Sequence, residues 1–274
     1  MSNSKFSVLL SVYRKEKKDY LLSSIKSILN QSSIPNEIVI VEDGPLDEEL
    51  DNLINTFIKK YPKLFKIVKL EKNVGLGLAL NEGLKACSFE LVARMDTDDI
   101  AKKLRFEKQL QEFESNPQLS IVGTNTDEFI SDPANVISRR VVPEKNEDIL
   151  KFSRRRSPFN HPTVMYKKID VLACGGYKDF RRNQDYDLFV RMLNKGYKGY
   201  NIQESLLLFR ADTGNLSRRK SWTKTKSDIY MRYNFLRKGY SSVYDFSITT
   251  VGFLIIFLTP LSMFDLINKY FLRK

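Results

Sequence analysis

The chain has 274 residues, 42% of them hydrophobic, and 45 Lys and Arg against 33 Asp and Glu give a formal net charge of +12. This is globular composition, which excludes a disordered, collagen-like or fully membrane-embedded polypeptide, and the length suits one large domain or one domain with an appendage. The two cysteines, Cys87 and Cys174, are far apart and in no Cys-x-x-Cys spacing, which excludes a disulfide framework or cysteine zinc site and fits a reducing cytosol.

Phe6–Val12 is an apolar run of strand length. It leads straight into Arg14-Lys15-Glu16-Lys17-Lys18. A secretion signal has its charges first and a longer apolar stretch, so no export is expected. Residues 20–30 place Leu21, Leu22, Ile25, Ile28 and Leu29 on one helix face. Pro35 breaks the chain before a second strand at 37–41, which ends in Glu42-Asp43-Gly44-Pro45. A helix over 50–61, a strand over 65–70, a helix over 75–86 and a strand over 89–95 follow, the last ending in Asp96-Thr97-Asp98-Asp99. Strands joined by helices imply a parallel sheet, whose ligands sit at the carboxyl ends of the strands. Three of these ends carry chemically useful residues: Ser11 and Tyr13, Glu42 and Asp43, and the aspartate cluster.

The second half is less regular. A helix is predicted over 101–115 and a strand over 119–123. A loop-rich stretch over 131–162 contains Arg154-Arg155-Arg156. Gly175-Gly176-Tyr177 marks a turn, 186–194 a helix and 206–209 a strand. Beyond Asn215 the pattern changes to basic helices and then to an uncharged stretch over 246–264. The basic excess is concentrated: residues 139–182 hold twelve Lys and Arg against five Asp and Glu, and residues 216–240 hold eight against one. Such patches favour an anionic partner over a merely solvated face.

Asp96, Asp98 and Asp99 put three carboxylates into four residues at a strand end. Like charges this close repel unless a cation is shared, and oxygen-only ligands suit Mg²⁺ or Mn²⁺ held together with substrate phosphates. The competing reading makes Asp99 the cap of the next helix. Asn73-Val74-Gly75-Leu76-Gly77 fails as a dinucleotide fingerprint, because Leu80 stands where the third glycine is needed, and it reads instead as a turn feeding a helix N-terminus. Asp185, in Gln184-Asp185-Tyr186-Asp187, is either a helix cap or a general base. The lone histidine, His161, reads as structural and excludes multi-histidine metal sites.

Taken together, these pieces resemble family 2 glycosyltransferases with the GT-A fold. The resemblance spans residues 6 to about 190. It is carried in order by the 7–13 strand, Glu37-Ile38-Val39-Ile40-Val41-Glu42-Asp43-Gly44, Asn73-Val74-Gly75-Leu76-Gly77 with Asn81, Arg94-Met95-Asp96-Thr97-Asp98-Asp99, His161-Pro162-Thr163, Gly175-Gly176-Tyr177 and Asn183-Gln184-Asp185-Tyr186-Asp187. The bacterial branch that builds O-antigen, capsule and amylovoran-type exopolysaccharide is the most similar, and shares an arginine-rich segment like Arg218-Arg219. Two departures stand out: Gln184 occupies the first position of the usual acidic pair, and Glu42 stands where aspartate is commoner.

The resemblance implies an α/β fold with a mainly parallel sheet for a domain over residues 1–215, and the charge and hydropathy pattern beyond it points to a basic, helical, membrane-associating extension over 216–274. It implies that Ser11, Tyr13, Asp43, Gly75, Asp96, Thr97 and Asp99 hold a UDP-sugar, that Asp98 binds Mn²⁺ or Mg²⁺, and that Asp185 is the catalytic base. The reaction would be an inverting transfer of galactose, glucose or an N-acetyl form to a saccharide on a lipid diphosphate, at the cytoplasmic face of the bacterial inner membrane. Nucleic acid is not an expected partner. A nucleotidyltransferase is the rival enzyme class, but it typically has a glycine-rich loop where this chain has Tyr13-Arg14-Lys15-Glu16. A basic membrane- or nucleic-acid-binding module is the rival without catalysis, and it would not need three carboxylates at a strand end. As a helix, the nineteen residues 246–264 would rise about 28 Å, close to a bilayer core. Pro260 would kink such a span, so the helix is expected to lie in or dip into the leaflet, peripheral or monotopic, attracted to anionic lipid by the basic segment before it; a true span and packing against protein or a second copy are the alternatives.

Overall fold

In the computed structural model, which describes residues 4–211 and 221–259, the first half alternates strand and helix as the apolar pattern predicts. The elements are β1 (Phe6–Val12), α1 (Lys18–Leu29), β2 (Glu37–Glu42), α2 (Glu48–Lys60), β3 (Phe65–Lys69), α3 (Leu76–Ala86) and β4 (Leu91–Arg94). The second half adds β5 (Ile100–Ala101), α4 (Arg105–Ser115), β6 (Leu119–Phe129), β7 (Ser138–Arg140), α5 (Asn146–Ser153), a 3-10 turn (His161–Thr163), β8 (Met165–Lys167), α6 (Lys168–Ala173), α7 (Gln184–Asn194) and β9 (Lys198–Arg210). Two helices, α8 (Trp222–Arg237) and α9 (Val243–Leu258), follow.

The nine strands among the described residues join one sheet in the order β3-β2-β1-β4-β8-β6-β9-β5, with β7 paired to β6. β1, β2, β3, β4, β6 and β9 run one way, and β5, β7 and β8 run against them, so the sheet is mainly parallel. Both faces are covered, which is why the central strands read as unbroken apolar runs. Phe6, Val8, Leu10 and Val12 of β1 pack with Ile25 of α1, Ile54 of α2 and Phe106 of α4 on one face. Leu9 packs with Leu80 of α3 and Phe189 of α7 on the other. Each such side chain contributes about 1.5–3 kcal/mol when fully buried. Gly83 lets α3 lie directly on the sheet: a Cβ there would fall 2.4 Å from Leu9 Cδ1 and 2.5 Å from Val41 Cγ2.

Tertiary contacts override local pattern in three places. The helix predicted from residue 101 begins at Arg105, because Ile100 and Ala101 are drawn into β5 opposite Leu208 and Leu207 of β9. The loop-rich stretch 131–162 contains β7 and α5. The short strands predicted at 119–123 and 206–209 are parts of the long neighbours β6 and β9, whose pairing is interrupted by bulges around Asn125.

α8 packs onto α7 through a small core of Tyr186, Val190, Met231 and Phe235. Ser242 and Asp245 form a reciprocal cap at the start of α9. The buried Asp245 carboxylate is paired with Arg155 at 2.6 Å. Beyond this anchor, Tyr244, Ile248, Val251, Ile255 and Leu258 are exposed. No helix among the described residues is long and apolar enough to cross a membrane. The boundary at 215–216, the Arg218-Arg219 segment and the end of the 246–264 stretch lie outside the described residues.

Candidate active site

The carboxyl ends of β1, β2 and β4 meet on one edge of the sheet. Ser11 is the half-buried penultimate residue of β1, and Tyr13, just beyond the strand, is exposed. Asp43 follows β2 and is buried. Its carboxylate accepts the backbone N–H groups of Val74 (2.7 Å) and Gly75 (3.1 Å) and the Asn73 side-chain amide (3.0 Å). Asp43 therefore fixes the loop that starts α3. Gly44 makes this approach possible: its φ is +85°, and a Cβ would sit 2.7 Å from the Asn73 nitrogen. Glu42 points elsewhere, paired with Lys69 at 2.9 Å.

The turn after β4 is tied down from several elements. The Thr97 hydroxyl donates to Glu16 at 2.5 Å, and the Ser24 hydroxyl of α1 donates to the Asp96 carbonyl at 2.9 Å. Arg210, at the end of β9, donates its backbone N–H to Asp99 Oδ1 (2.9 Å) and its Nε to the Asp98 carbonyl (3.0 Å). Its guanidinium stacks on the Tyr20 and Phe129 rings. Behind the turn lie two buried arginines. Arg94 pairs with Asp96 at 2.5 Å. Arg105 donates to the Arg94 carbonyl at 2.7 Å. Burial, with Arg94 close by, pushes the Arg105 guanidinium down to about 9 against the pull of Asp99 and Asp96. Asp99 caps no helix, because the position before α4 is Leu104.

Asp96, Asp98 and Asp99 each offer a carboxylate oxygen, all within 4.8 Å of one another. Burial first, then Asp96 and Glu16, push the Asp98 carboxyl up to about 7. Burial and the two neighbouring aspartates hold Asp99 well above the usual carboxylate range. Asp99 Oδ2 is buried and has no hydrogen-bond partner. A crowded, all-oxygen donor set with an orphaned buried oxygen is what a hard divalent cation satisfies, so the residues fit Mg²⁺ or Mn²⁺.

α7 brings the remaining carboxylate. Its N-cap is Asn183, the one described non-glycine residue with positive φ (59°), and Asp185 is the second helical residue rather than the cap. Asn183 is held by Asp228 of α8 at 2.5 Å. Asp185, Asp96, His161 and Arg140 line one open cleft of about 300 Å³. Burial raises the Asp185 carboxyl, partly offset by N–H groups of the first helical turn and by Arg140 and Arg94. Asp187, two residues on, has a different task. It is buried and accepts Arg191 Nε at 2.7 Å, while the same guanidinium donates to the carbonyls of Cys174 and Gly176. Gln184 is buried against Gly77, with its Oε1 unpartnered.

His161 is not remote. Its Nε2 lies 3.0 Å from the Tyr177 hydroxyl, and burial beside Arg94 pushes its pKa well below the ordinary value, so it is neutral. Arg105, Arg140, Arg210 and Glu16 were invisible to sequence reasoning as site residues. Arg94 belongs to the aspartate motif, but nothing in the spacing says that it lies beneath it.

Residues 7–189 match the family described as Glycosyl transferase family 2. The chain is 36% identical to the Escherichia coli UDP-Gal:alpha-D-GlcNAc-diphosphoundecaprenol beta-1,3-galactosyltransferase over 98% of its own length and 97% of the relative's. It is 38% identical to the amylovoran biosynthesis glycosyltransferase AmsE of Erwinia amylovora over 82% of its length and 84% of the relative's. The mannosyltransferase PcManGT from Pyrobaculum calidifontis, solved in complex with GDP-Man and Mn²⁺, aligns at a TM-score of 0.65 over 92% of this chain and 69% of that one, at 14% identity, a likeness of fold. The sheet, its ligand edge and these matches make the architecture a GT-A fold, and the chain belongs to glycosyltransferase family 2.

Proposed function

We propose that the chain is an inverting hexosyltransferase that moves galactose, glucose or an N-acetyl form from a UDP-sugar to a saccharide carried on a polyprenyl diphosphate. The observation that carries this reading is the shared cleft: Asp185 on α7 lines it together with Asp96 of the acidic turn. An acceptor hydroxyl and a nucleotide-sugar could meet there. The galactosyltransferase relative is named for a UDP-Gal donor and a diphosphoundecaprenol-linked acceptor, which favours the same substrate classes here.

In this reading Ser11, Tyr13 and the loop held by Asp43 at Gly75 bind the nucleotide, with Asp96, Thr97 and Asp99 on the ribose, sugar and diphosphate side. Asp185 takes the proton of the acceptor hydroxyl, and that oxygen attacks the anomeric carbon from the face opposite UDP. Burial raises the affinity of Asp185 for a proton, and a positioned general base contributes about 10²–10⁴-fold. Asp98, with Asp99, would hold a divalent cation whose chemistry when bound is to offset the negative charge growing on the departing diphosphate. His161, kept neutral by burial, adds no charge to the cleft.

The exposed apolar face of α9 supports attachment to the cytoplasmic leaflet, where such an acceptor resides. In the intact chain, Val251→Glu with Ile255→Glu should abolish flotation with anionic liposomes. Equal flotation of both proteins would remove the membrane role of α9. Transfer itself is tested by product release. With Mn²⁺, a UDP-sugar and a lipid-diphosphate acceptor, the chain should release UDP, and EDTA should stop it. Release of pyrophosphate from UTP and a sugar phosphate would instead establish a nucleotidyltransferase.

A further inference from the structure

Three features lie in sequence from the C-terminal helices to the reaction cleft. The first is the exposed apolar surface of α9, beginning at Tyr244. The second is the Arg154–Ser157 segment. Its second residue, Arg155, is fixed from both C-terminal helices: its Nε pairs with Asp245 at 2.6 Å, its guanidinium lies over Tyr244, and its carbonyl accepts Arg232 Nη2 at 3.2 Å. The adjacent Arg156 is exposed and lies over the Phe152 ring, and Ser157 lines the reaction cleft. The third feature is the cleft wall, where Arg140 of β7 lines the cleft with Asp185 and Glu128 and interacts electrostatically with both carboxylates and with Arg156.

Arg155 is consumed by its ion pair, but neither Arg140 nor Arg156 has an ion-pair partner among the described residues. Two neighbouring guanidiniums without a shared anion repel each other. A guanidinium presents a planar fork of donors that matches phosphate oxygens. We propose that Arg140 and Arg156 form the subsite for the diphosphate of the acceptor, set between the apolar surface of α9 and the base Asp185. This rests on the glycosyl-transfer reading above. The order of chemistry along the protein is apolar helix, guanidinium pair, carboxylate base. The order along the acceptor is isoprenoid chain, diphosphate, sugar hydroxyl. The two match end to end. In that reading the donor diphosphate is held at the acidic turn, so the subsite reads the acceptor's phosphates. It gives the enzyme a way to choose lipid-linked sugars over free ones and holds the hydroxyl near Asp185 once the phosphates are seated.

The test compares two synthetic acceptors with the same sugar and the same short alkyl tail, one joined through a diphosphate and the other through a neutral ether. The readout is the ratio of their kcat/KM values in the full chain. Charge-assisted hydrogen bonds of this kind correspond to about tenfold to hundredfold in affinity. Wild type should favour the diphosphate acceptor. Arg156→Gln should shrink that preference by about tenfold or more, and Arg140→Gln with Arg156→Gln should nearly erase it, while KM for the UDP-sugar stays unchanged. Inorganic pyrophosphate should inhibit wild type competitively against the diphosphate acceptor and lose that effect in the double variant. An unchanged ratio, equal losses on both acceptors, or a raised KM for the UDP-sugar would overturn the subsite while leaving glycosyl transfer intact. Failure of wild type to glycosylate either acceptor would overturn the transfer reading and the subsite with it.

Discussion

The chain carries two acidic clusters beside one cleft, and they are built in opposite ways. In the turn after β4, Asp96, Asp98 and Asp99 crowd together, with buried Arg94 and Arg105 behind them and one oxygen of Asp99 left without a partner. In the first turn of α7 the carboxylates are separated by role. Asp187 is locked to Arg191, and Asp185 faces the cleft. Both environments raise carboxyl pKa values, but for different reasons. Crowding adds to burial at the turn, whereas burial alone dominates at Asp185. A shared site with mutual repulsion suits a cation. A single half-buried carboxylate beside an open cleft suits a proton.

The sharpest way to break this comparison is to neutralise the α7 side. Asp185→Asn keeps the shape and removes the basicity. Turnover should fall by about 10²–10⁴-fold, with UDP-sugar affinity by calorimetry little changed. Neutralising the turn should act differently. Asp98→Asn, or EDTA on wild type, should cost several kcal/mol of transition-state stabilisation, about 10³-fold in turnover, and Mn²⁺ titration of the variant should show no rescue. Full activity in EDTA would end the cation assignment.

The third prediction separates the neighbouring aspartates of α7. Asp187→Asn leaves Arg191 buried without its ion-pair partner, which costs about 3–5 kcal/mol of stability. Its Tm should drop while turnover per folded molecule stays within about threefold of wild type. A large loss of turnover at unchanged Tm would move the base from Asp185 to Asp187. The smallest effect concerns pH. Folding raises the Asp98 pKa from 3.8 to about 7, so the folded state favours the protonated form. Its stabilising contribution is present below about pH 4 and is lost as pH rises through about 7. The cation-free chain should therefore melt lower at pH 8 than at pH 5, less steeply in Asp98→Asn. At pH 8, Mn²⁺ at a hundredfold excess over its Kd adds about 2.7 kcal/mol, or about 5–10 °C in Tm, and should add almost nothing to Asp98→Asn.

The parallel half of the sheet was legible because local signals agreed: apolar runs for β1 and β2, helical periodicity for α1 and α2, polar residues at the strand ends. The aspartate cluster was legible for the same reason, as chemistry at a strand end, whereas the residues around Asp185 left it as either a helix cap or a base and only the family resemblance singled out the base. β5, β7 and β8 were not, since strands of two or three residues exist only through their partners. The arginines of the site show the same limit. Nothing in the residues around Arg105 says that α4 will carry it under the turn, and Arg140 meets Asp185 only after β7 folds back on β6. Residue type reports chemistry that is close in sequence, whereas counter-charges arrive from elements far along the chain.

The central claim is that one displacement joins the two clusters, with Asp185 behind the attacking oxygen and the acidic turn beside the departing diphosphate. The most direct test is the anomeric configuration of the product, read by proton NMR after transfer from an α-linked UDP-sugar. A β-linked product is predicted, because a single attack from the face opposite UDP inverts the carbon. An α-linked product would contradict the claim, since it would require a second displacement or attack from the same face.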